Sequence, residues 1–361
     1  MRQRSILILS LCLAAVGCAR HFVDQAHHPI AIFTAHGDFV RAIGDAPGEG
    51  QLQSPQSVAV DPVHGGNILA ADPEHDRVVV FSPSGSFIRS IGSKGIGDGQ
   101  LRGPQGVAVD PINGGNVIVA DTGNDRVVVF SATGKFIRTI AGRGDRFGKL
   151  YQPVGVAVDT ANNANVVIHH YDEIVVVTST GTFIRSFGNS PGPASGCWMG
   201  VAVDTRHQSH VLISDSTGNR IVVLDASGLF LGTIAAHPVF HSDLQGPTGV
   251  AAGPPSGDIV IADAENGRVE VYGADDSFVR SIDAISPRDR PYSAAVDPSN
   301  GNVIVANPEV PLGWECIIVK GLYSVSVNDS YGSGQSRSLL GCPIGAREAA
   351  KLTREILGLV G

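Results

Sequence analysis

The apolar residues of this chain fall in short runs. Between residues 106 and 140 four runs follow one another: Gly106 to Asp110, Asn116 to Asp121, Arg126 to Phe130 and Lys135 to Ile140. Pro111 with Gly114 and Gly115, then Gly123-Asn124, then Gly134 stand between them. Runs of this length, rich in valine and bounded by turn residues, predict antiparallel strands. A helix would need longer segments with a 3.6-residue period. Val117-Ile118-Val119-Ala120 and Val127-Val128-Val129-Phe130 are apolar at every position, so both faces of the sheet must be covered.

The four-run unit recurs. Val58-Ala59-Val60-Asp61 returns at Val107, Val156 and Val201, with weaker copies at Val250 and Ala294, a step of 44 to 49 residues. A period in this range predicts propeller blades. The linked motifs P-x-G-V-A-V-D, N-V-I-V-A-D, N-x-R-V-x-V-F and G-x-F resemble NHL repeats over residues 21 to 307. The resemblance implies an all-β, six-bladed β-propeller.

The ends of the repeat predict how the ring closes. Pro29-Ile30-Ala31-Ile32-Phe33 matches Arg126 to Phe130, and Phe39 to Gly44 matches Phe87 to Gly92. These are the third and fourth strands of a blade without its first two. The last first-strand copy runs on to Val303 to Asn307 and then loses the pattern. The N-terminal strands are therefore expected to pair with the last blade, which removes free sheet edges. Residues 308 to 361 form an extension. Ile317 to Val327 reads as two strands and Ala346 to Val360 as an amphipathic helix, and the extension as a whole reads as a strap packed over the ring, a partner-docking element or an extra closing element.

Residues 1 to 18 read as an export signal. Arg2 and Arg4 precede an apolar stretch, Ile6 to Val16, that is too short to span a bilayer. Ala15-Val16-Gly17-Cys18 resembles a bacterial lipobox, with Ala15 where leucine is usual. The resemblance implies lipidation of Cys18 and a cell-envelope, periplasmic or secreted location. With Cys12 in the signal and Cys18 lipidated, Cys197, Cys316 and Cys342 remain, so at least one thiol stays unpaired within the chain; Cys316 and Cys342 both lie in the C-terminal extension and could bridge. Net charge is −8 and no Lys/Arg run occurs, which argues against nucleic acid as a partner.

Most recurring charges read as structural. Asp72, Asp121, Asp215 and Asp263 close the second strand, and Arg77, Arg126, Arg220 and Arg268 open the third, so each pair braces one turn. Arg41, Arg89, Arg138, Arg185 and Arg280 recur in the fourth strand and read as solvated charges that blunt edge pairing. Asp61, Asp110, Asp159, Asp204 and Asp297 follow the first strand and read as turn formers.

Function is sought where blades differ. His169-His170-Tyr171-Asp172 replaces Ala120-Asp121-Thr122-Gly123 in the third repeat, with a shortened turn and no arginine. Cys197-Trp198-Met199 leads into the fourth repeat, and His237, His241, Arg288, Asp289, Arg290 and Tyr292 occupy the next two connections. All should share one face. His170, Tyr171, Cys197, Trp198, His241 and Arg288 are the candidate binding residues, with the aromatics as rigid contact area. Histidine, cysteine and carboxylate together also suit a transition metal, although adjacent histidines on a strand point apart.

Two readings follow. One is a non-enzymatic module that binds or scaffolds a protein, peptide or glycan, touching the membrane only through its lipid. The other is a metal-dependent lyase or hydrolase with zinc or calcium as cofactor. Some propellers that this chain resembles, the peptide-amidating lyases and gluconolactonase-like hydrolases, are metal enzymes. Neither ligand pattern can be placed here residue by residue, so no catalytic residue is assigned.

Overall fold

The computed structural model describes residues 29–142, 150–170, 173–188, 198–234, 244–253, 257–283 and 290–308. Among them, six four-stranded antiparallel sheets form the blades of a propeller. Blade one comprises Ser57–Asp61, Asn67–Asp72, Arg77–Phe81 and Phe87–Ile91, from the channel outward. Blade two comprises Gly106–Asp110, Asn116–Asp121, Arg126–Phe130 and Phe136–Gly142. Blades three, four and five repeat this order from Pro153–Asp159, Trp198–Asp204 and Pro247–Gly253. The proposed extension, the signal segment and Cys18 lie outside the described residues.

Blade six is shared between the two ends of the chain, as the partial repeats require. Its inner strands are Ser293–Val296 and Val303–Ala306, and its outer strands are Ile30–Phe33 and Phe39–Ile43. Ile30 pairs with Ala306 and Phe33 with Val303, and the N–H of Asn307 donates to the Pro29 carbonyl at 2.8 Å.

The all-apolar second and third strands are explained by the layers between blades. One layer joins Ala120, Val127 and Val129 of blade two to Val156, Val166 and Val175 of blade three. Alternate residues of one strand enter the layers on its two sides, so no position can be polar without a partner.

At the channel, inner strands meet almost main chain to main chain. Gly106, Gly155, Gly200 and Gly249 occupy equivalent positions, with Ser57 and Ser293 completing the ring. A Cβ on Gly249 would lie 2.7 Å from Ser293 Cα and from the Tyr292 carbonyl oxygen. One on Gly106 would lie 2.7 Å from the Val154 carbonyl oxygen. The two serines are used instead as links. Ser57 Oγ accepts the N–H of Val107 at 3.2 Å, and Ser293 Oγ accepts that of Val58 at 3.4 Å.

The aspartates after the first strand close turns, as expected. Asp110 Oδ1 accepts the N–H groups of Ile112 and Asn113 at 3.0 and 3.1 Å, and Oδ2 accepts from Asn113 Nδ2 at 2.6 Å. The fourth-strand arginines correct the sequence reading. They are half-buried or reach across, and they tie neighbouring blades together. Arg41 donates to the Ser84 carbonyl at 2.6 Å, Arg138 to that of Ser179 at 3.3 Å, and Arg89 to that of Ala132. Each acceptor lies in the last turn of the next blade, and the long side chain runs there because neighbouring outer edges sit within its reach.

Gly249→Val is expected to lower the unfolding free energy by about 1–3 kcal/mol through overpacking against main chain. Urea denaturation checks this. Gly232→Ala, where an added Cβ meets nothing within 4 Å, is the control and should change stability by about 0.5 kcal/mol or less.

Candidate functional site on the loop face of blades three and four

The loop face is built by the turns from second to third strand and by the connections between blades. A buried aspartate stands at this turn in blades one, two, four and five. Asp121 has no exposed surface. Its Oδ1 accepts the N–H of Arg102, in the connection leading into the same blade, at 2.7 Å. Its Oδ2 faces Arg126 Nε at 2.7 Å. The Arg126 guanidinium then donates to the carbonyls of Gly97 and Gln100 at 2.9 and 2.8 Å. Blade one repeats the clamp, with Asp72 3.1 Å from Arg77 and Arg77 donating to the Glu49 and Gln51 carbonyls. Asp215–Arg220 and Asp263–Arg268 stand at 2.9 and 3.0 Å. In blades one and two the pair does more than brace a turn: it fastens the inter-blade connection to the sheet.

A second tie runs onward. Asp76, Asp125 and Asn219, just before the arginine, sit at φ of 54°, 53° and 52°. Aspartate and asparagine accept this left-handed conformation more readily than most residues. Their side-chain oxygens accept the N–H groups of Gly103, Gln152 and Gly246, each in the lead-in to the next blade, at 2.8 to 2.9 Å.

Blade three replaces this arrangement. His170 stands where blades one, two, four and five have aspartate, and Glu173 where they have arginine. They face each other in register, as Asp121 and Arg126 do. Only two residues separate them, Tyr171 and Asp172, where four separate Asp121 from Arg126. His170 is 5% exposed. Its Nδ1 takes the N–H of Tyr151 at 3.4 Å, and its Nε2 lies 3.4 Å from Glu173 Oε2. The imidazole thus fills the aspartate's position, with Nδ1 as acceptor and the proton on Nε2. Burial holds its pKa below the ordinary value, and Glu173 pulls the other way. The neutral imidazole and the carboxylate leave this rim one negative charge richer than an aspartate–arginine pair. Glu173 is partly exposed and has no proton to offer connection carbonyls.

His169 is fully buried and points to the opposite side of the strand from His170. Other blades have Ala71, Ala120, Ser214, Ala262 and Ala306 there. Ala120 lies in the layer toward the following blade, so His169 enters the layer between blades three and four.

The structure places Trp198 at the loop-face end of blade four's inner strand, its backbone paired with Asp215, the counterpart of His170. Blades three and four thus bring two predicted residues to equivalent levels of adjacent sheets. Tyr171, Cys197, His241 and Arg288 lie outside the described residues. Sequence reading passed over Glu173, although its place in the recurring arginine column marks it. Among the described residues, no group of three His, Cys, Asp or Glu side chains is arranged to hold a metal ion.

A second carboxylate that departs from the repeat lies inside the ring. Glu270 occupies the position of Val79, Val128, Val175 and Val222 and is 2% exposed. Arg268 Nε stands 2.6 Å from Glu270 Oε1 and 3.0 Å from Asp263 Oδ2, one cation serving two carboxylates. Burial raises the Asp263 pKa against hydrogen bonds from Gln245, Asn266 and Arg268. Burial, with Glu270 and Asp263 close by, pushes Tyr272 up to about 12.

A family profile described as NHL repeat matches residues 101–130 and 244–272. These stretches cover the lead-in and first three strands of blades two and five. No curated protein matches the sequence. A streptogramin B lyase structure is similar at 13% identity and a TM-score of 0.51, over 77% of this chain and 80% of that one. A catalytically inactive virginiamycin B lyase from Staphylococcus aureus, solved with quinupristin, is similar at 12% identity and a TM-score of 0.52, over 81% and 97%. A protein of unknown function from Bacteroides caccae is similar at 14% identity and a TM-score of 0.51, over 72% and 92%. At these identities the likeness is one of fold.

Two outcomes are expected from these electrostatics. Because the folded pKa of His170 is depressed, the unfolded chain binds its proton first, so stability falls as pH drops through about 6.5. His170→Asp with Glu173→Arg should remove that acid limb, and urea denaturation of both singles and the double should show a favourable coupling of about 1–3 kcal/mol. Glu270→Val should raise the unfolding free energy at pH 7 by about 1–3 kcal/mol, since a buried carboxylate gives way to the valine of four other blades.

Proposed function

Because the chain is an NHL-repeat six-bladed β-propeller, we propose that it works as a binding or scaffold module whose ligand is a protein, peptide or glycan. The observation that supports this reading is how the loop-face chemistry is spent. In blades one and two the aspartate and arginine are consumed in clamping connections, and blades four and five keep the same pair, whereas blade three carries His170 and Glu173 beside the strand that begins at Trp198. A half-clamped rim carrying Glu173, next to a lead-in that carries Cys197 and Trp198, suits recognition. The reading extends to Tyr171, Cys197, His241 and Arg288 as contacts on the same face. It also takes the N-terminal segment as an export signal with Cys18 as the lipid-bearing residue, which would hold the propeller at a membrane surface.

A lyase or hydrolase on this face is the competing reading. The fold shared with the streptogramin and virginiamycin B lyases is compatible with it, and it requires a bound cation. Elemental analysis of the purified mature chain, before and after chelation, separates the two. A metal-free protein that stays folded is the expected result. Stoichiometric zinc or calcium would overturn the binding-module reading. With the metal question answered, Trp198→Ala should weaken capture of the ligand about tenfold or more while leaving thermal unfolding unchanged. Cys18→Ser should move the protein from the membrane fraction to the soluble one.

A further inference from the structure

The outer edge of blade four departs from the other five. Their fourth strands read Phe39-Val40-Arg41, Phe87-Ile88-Arg89, Phe136-Ile137-Arg138, Phe183-Ile184-Arg185 and Phe278-Val279-Arg280. Blade four reads Phe230-Leu231-Gly232. Where the arginine is present, as at Arg41, Arg89 and Arg138, it reaches the last turn of the next blade. At Gly232 a Cβ would meet nothing within 4 Å, so that seat is open.

The turn this missing arginine would reach is acidic. It is Gly273 to Ser277, containing Asp275 and Asp276. The corresponding turns of blades one, two and three, around Ser84, Thr133 and Thr180, carry no carboxylate. Asp275 Oδ1 is occupied by the N–H and hydroxyl of Ser277. Asp276 lies near Asp275, Asp204 and two histidines, His207 and His210, whose rings stack at 5.6 Å. His207 is itself held by Asp204 at 2.5 Å. The groups around Asp276 are therefore carboxylates and imidazoles.

The strand beside this seat is apolar and unguarded. Leu229 is 62% exposed, Leu231 47% and Phe230 37%. From Ala226 to Ile234 there is no charged residue. Elsewhere the Leu229 position holds Asp38, Ser86, Lys135, Thr182 or Ser277. Phe230–Ile234 pairs with Arg220–Leu224 and forms the edge of its sheet. An uncharged apolar edge is a template for another strand.

We propose that the outer edge of blade four is a docking strand for an extended segment of a partner protein, which pairs with Phe230–Ile234 and sets a basic side chain opposite Gly232, against Asp275 and Asp276. Directly opposed residues of paired strands point to the same face of the sheet. A long cation on the added strand therefore points where the arginine of the other blades points. The same edge of a second copy does not fit. Its own edge from Ala226 to Ile234 brings no cation, and pairing edge to edge leaves the acidic turn uncompensated. The site lies on the outer rim, away from the loop face, and does not depend on the reading proposed for that face.

The test uses the whole mature protein and two synthetic ten-residue peptides of alternating valine and serine, one with a central arginine and one with a central glutamate. Fluorescence anisotropy is expected to show the arginine peptide binding about tenfold tighter or more. Hydrogen exchange should slow at the amides of Phe230–Ile234 when it binds. Gly232→Arg, which fills the seat in cis, should abolish binding. Asp275→Asn with Asp276→Asn should erase the difference between peptides without unfolding the protein. The proposal is overturned by equal affinity for the two peptides, by no binding at millimolar peptide, or by binding that Gly232→Arg leaves intact. Dimers of the peptide-free protein that Leu231→Lys dissolves would overturn it in favour of self-pairing.

Discussion

A buried carboxylate held by a single arginine is the interaction on which the loop face depends. Asp72, Asp121, Asp215 and Asp263 have no exposed surface. Each would be costly to bury alone. Each is matched by a cation one strand away and, in blades one and two, that cation also satisfies carbonyls of the connection. The arrangement converts a cost of burial into a fixed path for chain that would otherwise be loop. The same residues then hold the lead-in segment, so the geometry of the rim follows from the sheet.

The ring glycines act on the opposite side of the balance. Gly106, Gly155, Gly200 and Gly249 allow inner strands to approach until main chain touches main chain. The channel-side positions therefore offer little side-chain chemistry. Polar function is displaced to the rim, where blades are free to differ. His170 with Glu173 is one such difference and Gly232 is another. One trades a charge-compensated clamp for an excess negative charge. The other deletes a cation from a place where blade five keeps two carboxylates.

The blade count and the shared sixth blade were legible in the sequence because each strand is a separate apolar run and the partial repeats at the two ends are complementary. The turn aspartates were legible for the same reason: Asp-Pro and Asp-x-x-Asn are local signals that act within a few residues. The fourth-strand arginines were misread as solvated. Their acceptors, the carbonyls of Ser84, Ala132 and Ser179, lie about forty residues away in the next blade, and no local pattern carries that. Glu270 and Gly232 escaped because they are departures, seen only once the five or four equivalent residues are superposed by the fold. His170 was visible as an outlier, yet its burial in a clamp position could be seen only in three dimensions.

The shared blade has a consequence for the order of events in the life of the molecule. The strands Ile30–Phe33 and Phe39–Ile43 are the first of the propeller to leave the ribosome, and their partner Val303–Ala306 is the last. Through almost the whole of synthesis, the hairpin of Ile30–Phe33 and Phe39–Ile43 has no inner strands to join. Completion is signalled by one event, the seating of the final strand against the first. A chain halted before Val303 keeps its seam open, because Ile30–Phe33 then lacks the strand that closes the ring.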